Sequence, residues 1–161
     1  MTNKKSYSCC FFGKIGTEIT DELLDRIYFF INDLIIKGYN KFIFGTRTDF
    51  DKICLAVVNE LKTIYKNIDI VAYVINGEGY ILERDRDIFA KIYKCDKCII
   101  CTVDKEIEIK INNPFNKNVA IINNSDLCIF YFNDNQNNDF KNEYIYASKT
   151  SKVLNIFSII N

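Results

Sequence analysis

The sequence contains no histidine, no tryptophan and a single proline among its 161 residues. Without histidine the chain cannot run a Ser-His-Asp or Cys-His nucleophilic mechanism, a two-histidine zinc hydrolase site or a histidine proton relay. The chemistry that remains belongs to carboxylates, backbone amides, lysine and arginine, hydroxyls and cysteine.

An excess of charge of either sign is also missing, because 21 basic and 21 acidic residues give a formal net charge of zero. Such a chain has no electrostatic footprint for nucleic acid or for an anionic membrane. No apolar run reaches the about 18 residues that a membrane span needs, and the apolar stretch near the start is too short for a signal peptide. We therefore expect a cytoplasmic protein without a nucleic-acid or membrane partner.

The sequence is rich in apolar residues, at 48%, and its length predicts one domain over residues 1–161. Seven cysteines, an odd number, favour reduced and buried thiols. Cys95, Cys98 and Cys101 form a C-x-x-C-x-x-C run that is compatible with zinc or an iron–sulfur cluster, or with an ordinary β segment. Since the chain has no histidine and no evident fourth ligand, we expect no metal and no cofactor.

Apolar strand-like runs alternate with segments of helical periodicity. Strands are predicted at 7–12, 41–44, 68–75, 126–132 and 153–160, and helices at 21–37, 49–65, 82–93, 114–123 and 140–152. The segment 95–111 is harder to interpret and contains two short β-like runs. The alternation predicts an α/β fold: a doubly wound, Rossmann-like, mostly parallel sheet of about five strands with helices on both faces.

Ligands of such sheets bind beyond the carboxyl ends of the strands, so the loops that follow the strands are the candidate site. Two of them, CCFFGKIG and FIFGTRTDFD, place a glycine directly after an apolar strand. Glycine lets a ligand approach the backbone, and the amides at the start of the next helix favour an anion such as phosphate. The candidate residues in these two loops are Gly13, Lys14, Gly45, Thr46, Arg47, Thr48, Asp49 and Asp51.

Each of these residues also has an ordinary structural interpretation. The glycines can simply turn the chain, Thr48 or Asp49 can cap the helix, and Asp51 can add to its first turn. Lys14 and Arg47 are candidate phosphate contacts, or solvated loop charges.

The loops after the third and fourth predicted strands add further candidates. Glu78 joins Asp49 and Asp51 as a candidate acid or base, and Asn133 opens the polar loop NDNQNND. Tyr39, Tyr80 and Tyr131 can stack a nucleobase or belong to the core.

The order of these motifs resembles the YpsA-like branch of the SLOG superfamily, relatives of the LOG phosphoribohydrolases and of the DNA-processing protein DprA. That branch ends its first strand in C-F-T-G-H-R, follows its second with G-G-A-x-G-F-D, and later carries R-N-x-x-M-(I/V)-D-x-S-D. The corresponding segments here are Cys10-Phe11-Phe12-Gly13, Gly45 to Asp51, and Lys117-Asn118 leading to Asn124-Ser125-Asp126. The resemblance spans nearly the whole chain and adds Asn118 to the candidate ligand-binding residues.

The chain departs from the family pattern where the family's chemistry lies. Lys14-Ile15 replaces His-Arg, Thr46 and Asp49 replace two glycines, and Lys117 replaces the arginine before Asn118. The Gly-Gly-Thr phosphate loop and the P-G-G-x-G-T-x-x-E signature of LOG-type hydrolysis are absent from the sequence. The resemblance thus implies a ligand pocket without the catalytic equipment.

We therefore expect a homo-oligomeric protein that binds, senses or sequesters a nucleotide-derived signal such as ADP-ribose, another NAD-derived molecule or a cyclic nucleotide. A phage-encoded scavenger directed against host defence signalling is one such role. The alternatives are an N-glycosidic hydrolase of nucleotides or nucleosides, and a protein-interaction role like that of other YpsA-like proteins.

Overall fold

The structure is a computed structural model and describes residues 6–46, 48–75, 97–101, 114–133 and 139–161. Its strands are β1 (Tyr7–Gly13), β2 (Tyr39–Phe44), β3 (Asp69–Ile75), β4 (Lys97–Cys101), β5 (Leu127–Tyr131) and β6 (Lys152–Asn155). The described helices are α1 (Asp21–Ile36), α2 (Asp49–Lys62), α3 (Pro114–Asn123), α4 (Lys141–Thr150) and α5 (Phe157–Ile160). Some of the predicted features lie outside the described residues: the helix at 82–93, the run 107–111, Arg47, Glu78, Tyr80 and Cys95.

The strands form one sheet in the order β4-β3-β2-β1-β5-β6, and every pairing is parallel. This confirms the predicted doubly wound α/β class. The sheet has one strand more than the expected five, because part of the difficult segment forms β4 at its edge. Among the described helices, none is long and apolar enough to cross a membrane.

Two hydrophobic cores cover the two faces of this sheet. Side chains alternate along β1, so that Phe11 points into the core with α1, α2 and α5, and Phe12 into the core with α3 and α4. Helices α1 and α2 begin at threonine caps, where the Thr20 and Thr48 hydroxyls accept from the amides of Leu23 and Asp51. The sequence therefore sets the start of each helix and the side that it buries.

The predicted last strand, at 153–160, is wrong beyond Asn155. The Oδ1 atom of Asn155 accepts from the amides of Phe132 (3.3 Å) and Phe157 (3.2 Å), and its Nδ2 donates to the Phe132 carbonyl (3.0 Å). This side chain replaces the backbone ladder at the end of β6, and the chain turns into the short helix α5. The apolar run IFSII thus forms a helical turn that buries Ile160, and not a longer strand.

Candidate functional site

The strand order reverses at β1, since β2, β3 and β4 follow on one side of it and β5 and β6 on the other. Gly13, the last residue of β1, pairs with Tyr131, the last residue of β5. In open α/β sheets this reversal opens a crevice at the carboxyl ends of the two strands, where ligands bind. The crevice between β1 and β5 is therefore the candidate site.

The two loop glycines are required by close packing within the chain. A Cβ atom on Gly13 would lie 2.7 Å from the Tyr131 carbonyl oxygen and 2.9 Å from Cδ1 of Phe50. A Cβ atom on Gly45 would lie 2.7 Å from Cδ1 of Ile121 and 3.0 Å from the Tyr73 carbonyl oxygen. Both glycines thus let protein atoms approach the strand ends, which is a structural role that the sequence pattern alone does not distinguish from ligand contact.

The amides after β1 bind an anion that belongs to the protein. The backbone N–H groups of Ile15 and Gly16 donate to the two carboxylate oxygens of Asp49, over 2.9 and 3.1 Å. Gly16 has a φ of 66°, and consecutive amides around such a left-handed residue form a concavity that holds anions. Asp49 therefore occupies the anion position that the sequence predicted for phosphate.

The same contacts keep Asp49 ionised. Partial burial by itself raises its pKa, but the amides of Ile15, Gly16 and Phe50, together with the Lys14 charge, outweigh burial and hold the pKa below its ordinary value. A general acid needs a raised pKa, so Asp49 is poorly suited to protonate a leaving base.

The other candidates of the second loop support helix α2. The Thr48 hydroxyl accepts from the Asp51 amide over 3.2 Å, and the Thr46 hydroxyl lies 3.5 Å from it. Asp51 is 4% exposed and lies on the buried side of α2 beside Cys54, whose pKa is raised by burial first and by this carboxylate second. Asp51 therefore lies on the core side of α2 and not on the side that is open to solvent.

One charged pair links the loops on either side of the crevice. Lys14, which follows β1, lies 3.9 Å from the carboxylate of Asp139, which precedes α4, and both side chains are more than half exposed. An exposed pair at this distance contributes less than about 1 kcal/mol, so an anionic ligand can replace Asp139 as the partner of Lys14 at little cost.

Three buried polar residues lie on α3 and α4, and we refer to them as the polar cluster: Lys117 and Asn118 of α3, and Glu143 of α4. The hydrogen bond between Asn118 and Glu143 joins the two helices. Asn118 Nδ2 donates to Oε1 of Glu143 over 3.3 Å, and all three residues are less than a tenth exposed. Asn118 was a candidate by resemblance, whereas Glu143 was not predicted. The sequence could have indicated that Glu143 is buried, because it stands four residues before Ala147 and the two share one side of α4.

The cluster lies near the carboxyl ends of the strands. Helix α3 ends next to the amino end of β1, where the Ser8 hydroxyl donates to the Asn124 carbonyl, and Ile121 is level with Gly45 at the end of β2. Lys117 and Asn118 lie one turn further toward the start of α3. At the start of α4, Phe140 packs on Phe12, with ring centroids 5.6 Å apart.

Further candidates lie at the edge of the site or away from it. Asn133 is half-buried and follows β5, at the crevice. Tyr131 is buried, stacks on Phe50 at 5.1 Å and accepts from Asn161, so it belongs to the core. Tyr39 packs against Tyr7 at the opposite end of the sheet. These two rings are therefore not placed to stack a ligand base.

Four cysteines outside the C-x-x-C-x-x-C run are free thiols in the interior. Burial raises the pKa of Cys9, Cys10 and Cys54 well above the ordinary value, which makes these thiols poor nucleophiles at neutral pH. In the part of the chain that the structure describes, no three acidic or cysteine side chains cluster in a way that would hold a metal ion.

No protein-family model matches the chain, and no curated protein shows significant similarity to it. The fold defines the class: a Rossmann-like α/β protein whose strand order reverses between β1 and β5.

Proposed function

We propose that the protein binds a nucleotide-derived small molecule, without turning it over, in the crevice between β1 and β5. The observation that carries the proposal is the buried cluster of Lys117, Asn118 and Glu143 close to the point where the strand order reverses. Buried polar groups cost free energy unless they are matched, and they concentrate at binding sites.

The chemistry of the cluster suits a ribose phosphate. A carboxylate such as Glu143 accepts hydrogen bonds from ribose hydroxyls, and the Lys117 ammonium and Asn118 amide donate to phosphate or ribose oxygens. Lys14 adds a cation at the mouth of the crevice. The motif order shared with the YpsA-like branch of the SLOG superfamily supports the same ligand class, and the missing hydrolase signature supports binding without catalysis.

Asp49 changes how the phosphate would be held. Because its carboxylate fills the concavity of Ile15 and Gly16, the phosphate of a ligand would contact Lys14 and the α3–α4 side of the crevice.

The test is titration calorimetry with a panel of ADP-ribose, NAD and cyclic nucleotides. We expect one member to bind, and Lys14→Glu to weaken that binding about tenfold by replacing an attractive charge with a repulsive one. Lys152→Glu is the matched control, because Lys152 is exposed at the start of β6, at the opposite end of the sheet, and should leave the affinity unchanged.

Two results would overturn the proposal. Failure of every member of the panel to bind would remove the ligand class. Release of free base from a nucleotide, detected by chromatography, would make the protein an N-glycosidic hydrolase.

A further inference from the structure

Helices α1 and α2 enclose a groove on the outer side of the core that contains Phe11, away from the crevice. Its volume is about 550 Å³. The residues that line it are Leu24, Asp25, Tyr28 and Phe29 of α1, and Ile53, Ala56, Val57 and Glu60 of α2. We call it the α1/α2 groove.

An unusually exposed aromatic residue borders the α1/α2 groove. Phe29 is 67% exposed, and its ring meets Tyr28 edge-on at 5.8 Å. Single exposed apolar residues are common on protein surfaces, but Phe29 continues an apolar floor formed by Leu24, Ile53 and Val57. Contiguous apolar surface of this kind marks interaction sites.

The charge of the α1/α2 groove has one sign. Asp25 lies near the start of α1 and Glu60 near the end of α2, and neither forms an ion pair with a described residue. None of the lining residues is basic. Two basic residues stand directly next to lining residues in sequence. Lys52 is exposed and precedes Ile53, but does not line the groove. Arg26 is engaged by Glu22 and by the Ile160 carbonyl, to which it donates over 2.7 Å.

We propose that the α1/α2 groove docks a cationic amphipathic helix of a partner protein. Apolar residues spaced i, i+3, i+4 and i+7 would cover Phe29 and the apolar floor, as in other helix-in-groove complexes. Asp25 lies in the first half of α1 and Glu60 in the last turn of α2, so each of the two helices contributes one carboxylate to the groove. The partner would therefore carry lysine or arginine on both flanks of its apolar stripe.

The two acidic lining residues, Asp25 and Glu60, argue against two other occupants. With the two grooves face to face, a second copy of the chain would bring Asp25 and Glu60 of both molecules together across the interface, which costs free energy. An anionic membrane surface would be repelled by the same carboxylates.

The test uses three synthetic helical peptides of about 14 residues, long enough for four turns. The first has leucines at the stated spacing and lysines at the flanks, the second has glutamates in place of the lysines, and the third is a scrambled form of the first. Fluorescence anisotropy should show binding of the lysine peptide, and binding about tenfold or more weaker for the other two. Raising the salt from about 50 to about 150 mM should weaken the lysine peptide.

Variants of the protein locate the binding. Ala56→Arg puts a long cationic side chain into the groove from an exposed helix position and should weaken the lysine peptide about tenfold. Asp25→Asn combined with Glu60→Gln should weaken it about fivefold and reduce its salt dependence. Ile145→Arg is the matched control, since Ile145 is a similarly exposed apolar residue on α4, outside the groove. Circular dichroism melting would show that each variant is folded.

Several results would overturn the proposal. One is equal binding of the lysine and glutamate peptides, and another is full binding by Ala56→Arg. Equal weakening by Ile145→Arg would show that the peptide adheres to the surface at large. Sedimentation velocity that shows a dimer lost in Ala56→Arg would assign the groove to a second copy. Binding of phosphatidylserine vesicles that depends on Phe29 would assign it to a membrane.

Discussion

At the scale of single residues, Asp49 has the clearest physical effect. Its carboxylate ties the loop after β1 to the start of α2 through contacts with Ile15 and Gly16, more than 30 residues away in sequence. From the sequence we predicted that these loop amides bind an anion, and we interpreted Asp49 as a helix cap or a ligand residue. It could not show that the anion is Asp49 itself, because this contact depends on the tertiary distance between two loops.

Replacing Asp49 should therefore destabilise the protein in a pH-dependent way. In Asp49→Asn the uncharged amide loses the charge-assisted bonds, and we expect a loss of about 1 kcal/mol at neutral pH for this partly exposed group. Because the folded pKa lies below the ordinary value, the carboxylate stabilises the fold above the ordinary pKa. That stabilisation disappears as the pH falls through the folded pKa, so the gap between wild type and variant should close in acid.

Urea denaturation of the wild type and the variant over a range of pH measures this gap. Asp69→Asn is the control for loss of one negative charge, since Asp69 is an exposed residue at the start of β3. The same pH-dependent gap in both variants would attribute the effect to net charge, and would contradict the role of the loop contacts.

At the scale of elements, prediction succeeds where the spacing of the apolar residues and the capping residue indicate the same helix. Helix α1 buries Leu23, Ile27, Ile31 and Leu34 at helical spacing and starts at the Thr20 cap, so its pattern has one interpretation. The end of β6 is different, because IFSII is too short and too uniformly apolar for its period to distinguish strand from helix. In the structure the strand ends because the Asn155 side chain forms hydrogen bonds with the backbone of Phe132. Phe132 directly follows the neighbouring strand β5, so the local sequence pattern does not contain this contact.

We expect Asn155→Ala to loosen this end of the sheet. The change removes three hydrogen bonds between side chain and backbone, at a cost of about 1–2 kcal/mol, and leaves the Phe132 and Phe157 amides without their partner. Hydrogen exchange should speed up first in β6 and α5, because local opening exposes them. Asn67→Ala, at an exposed position, should change neither quantity. Faster exchange spread evenly over the sheet would show that Asn155 has no local role.

At the scale of the whole molecule, β1 couples the two cores, because successive side chains of this strand enter opposite faces of the sheet. Ile27 of α1 and Ile122 of α3 are fully buried, one in each core. Removing a single methyl group, as in Ile27→Val or Ile122→Val, should cost about 1 kcal/mol of unfolding free energy. Since the two residues lie on opposite faces, the double variant should lose the sum to within about 0.5 kcal/mol. The shared sheet should nevertheless make unfolding one transition, with the same urea dependence in all variants.

Two signals would follow this unfolding transition: far-ultraviolet circular dichroism, and tyrosine fluorescence, which can be used because the chain has no tryptophan. A variant in which only one of these signals moves to lower urea would show that the two faces unfold separately, and that β1 does not join them into one cooperative unit.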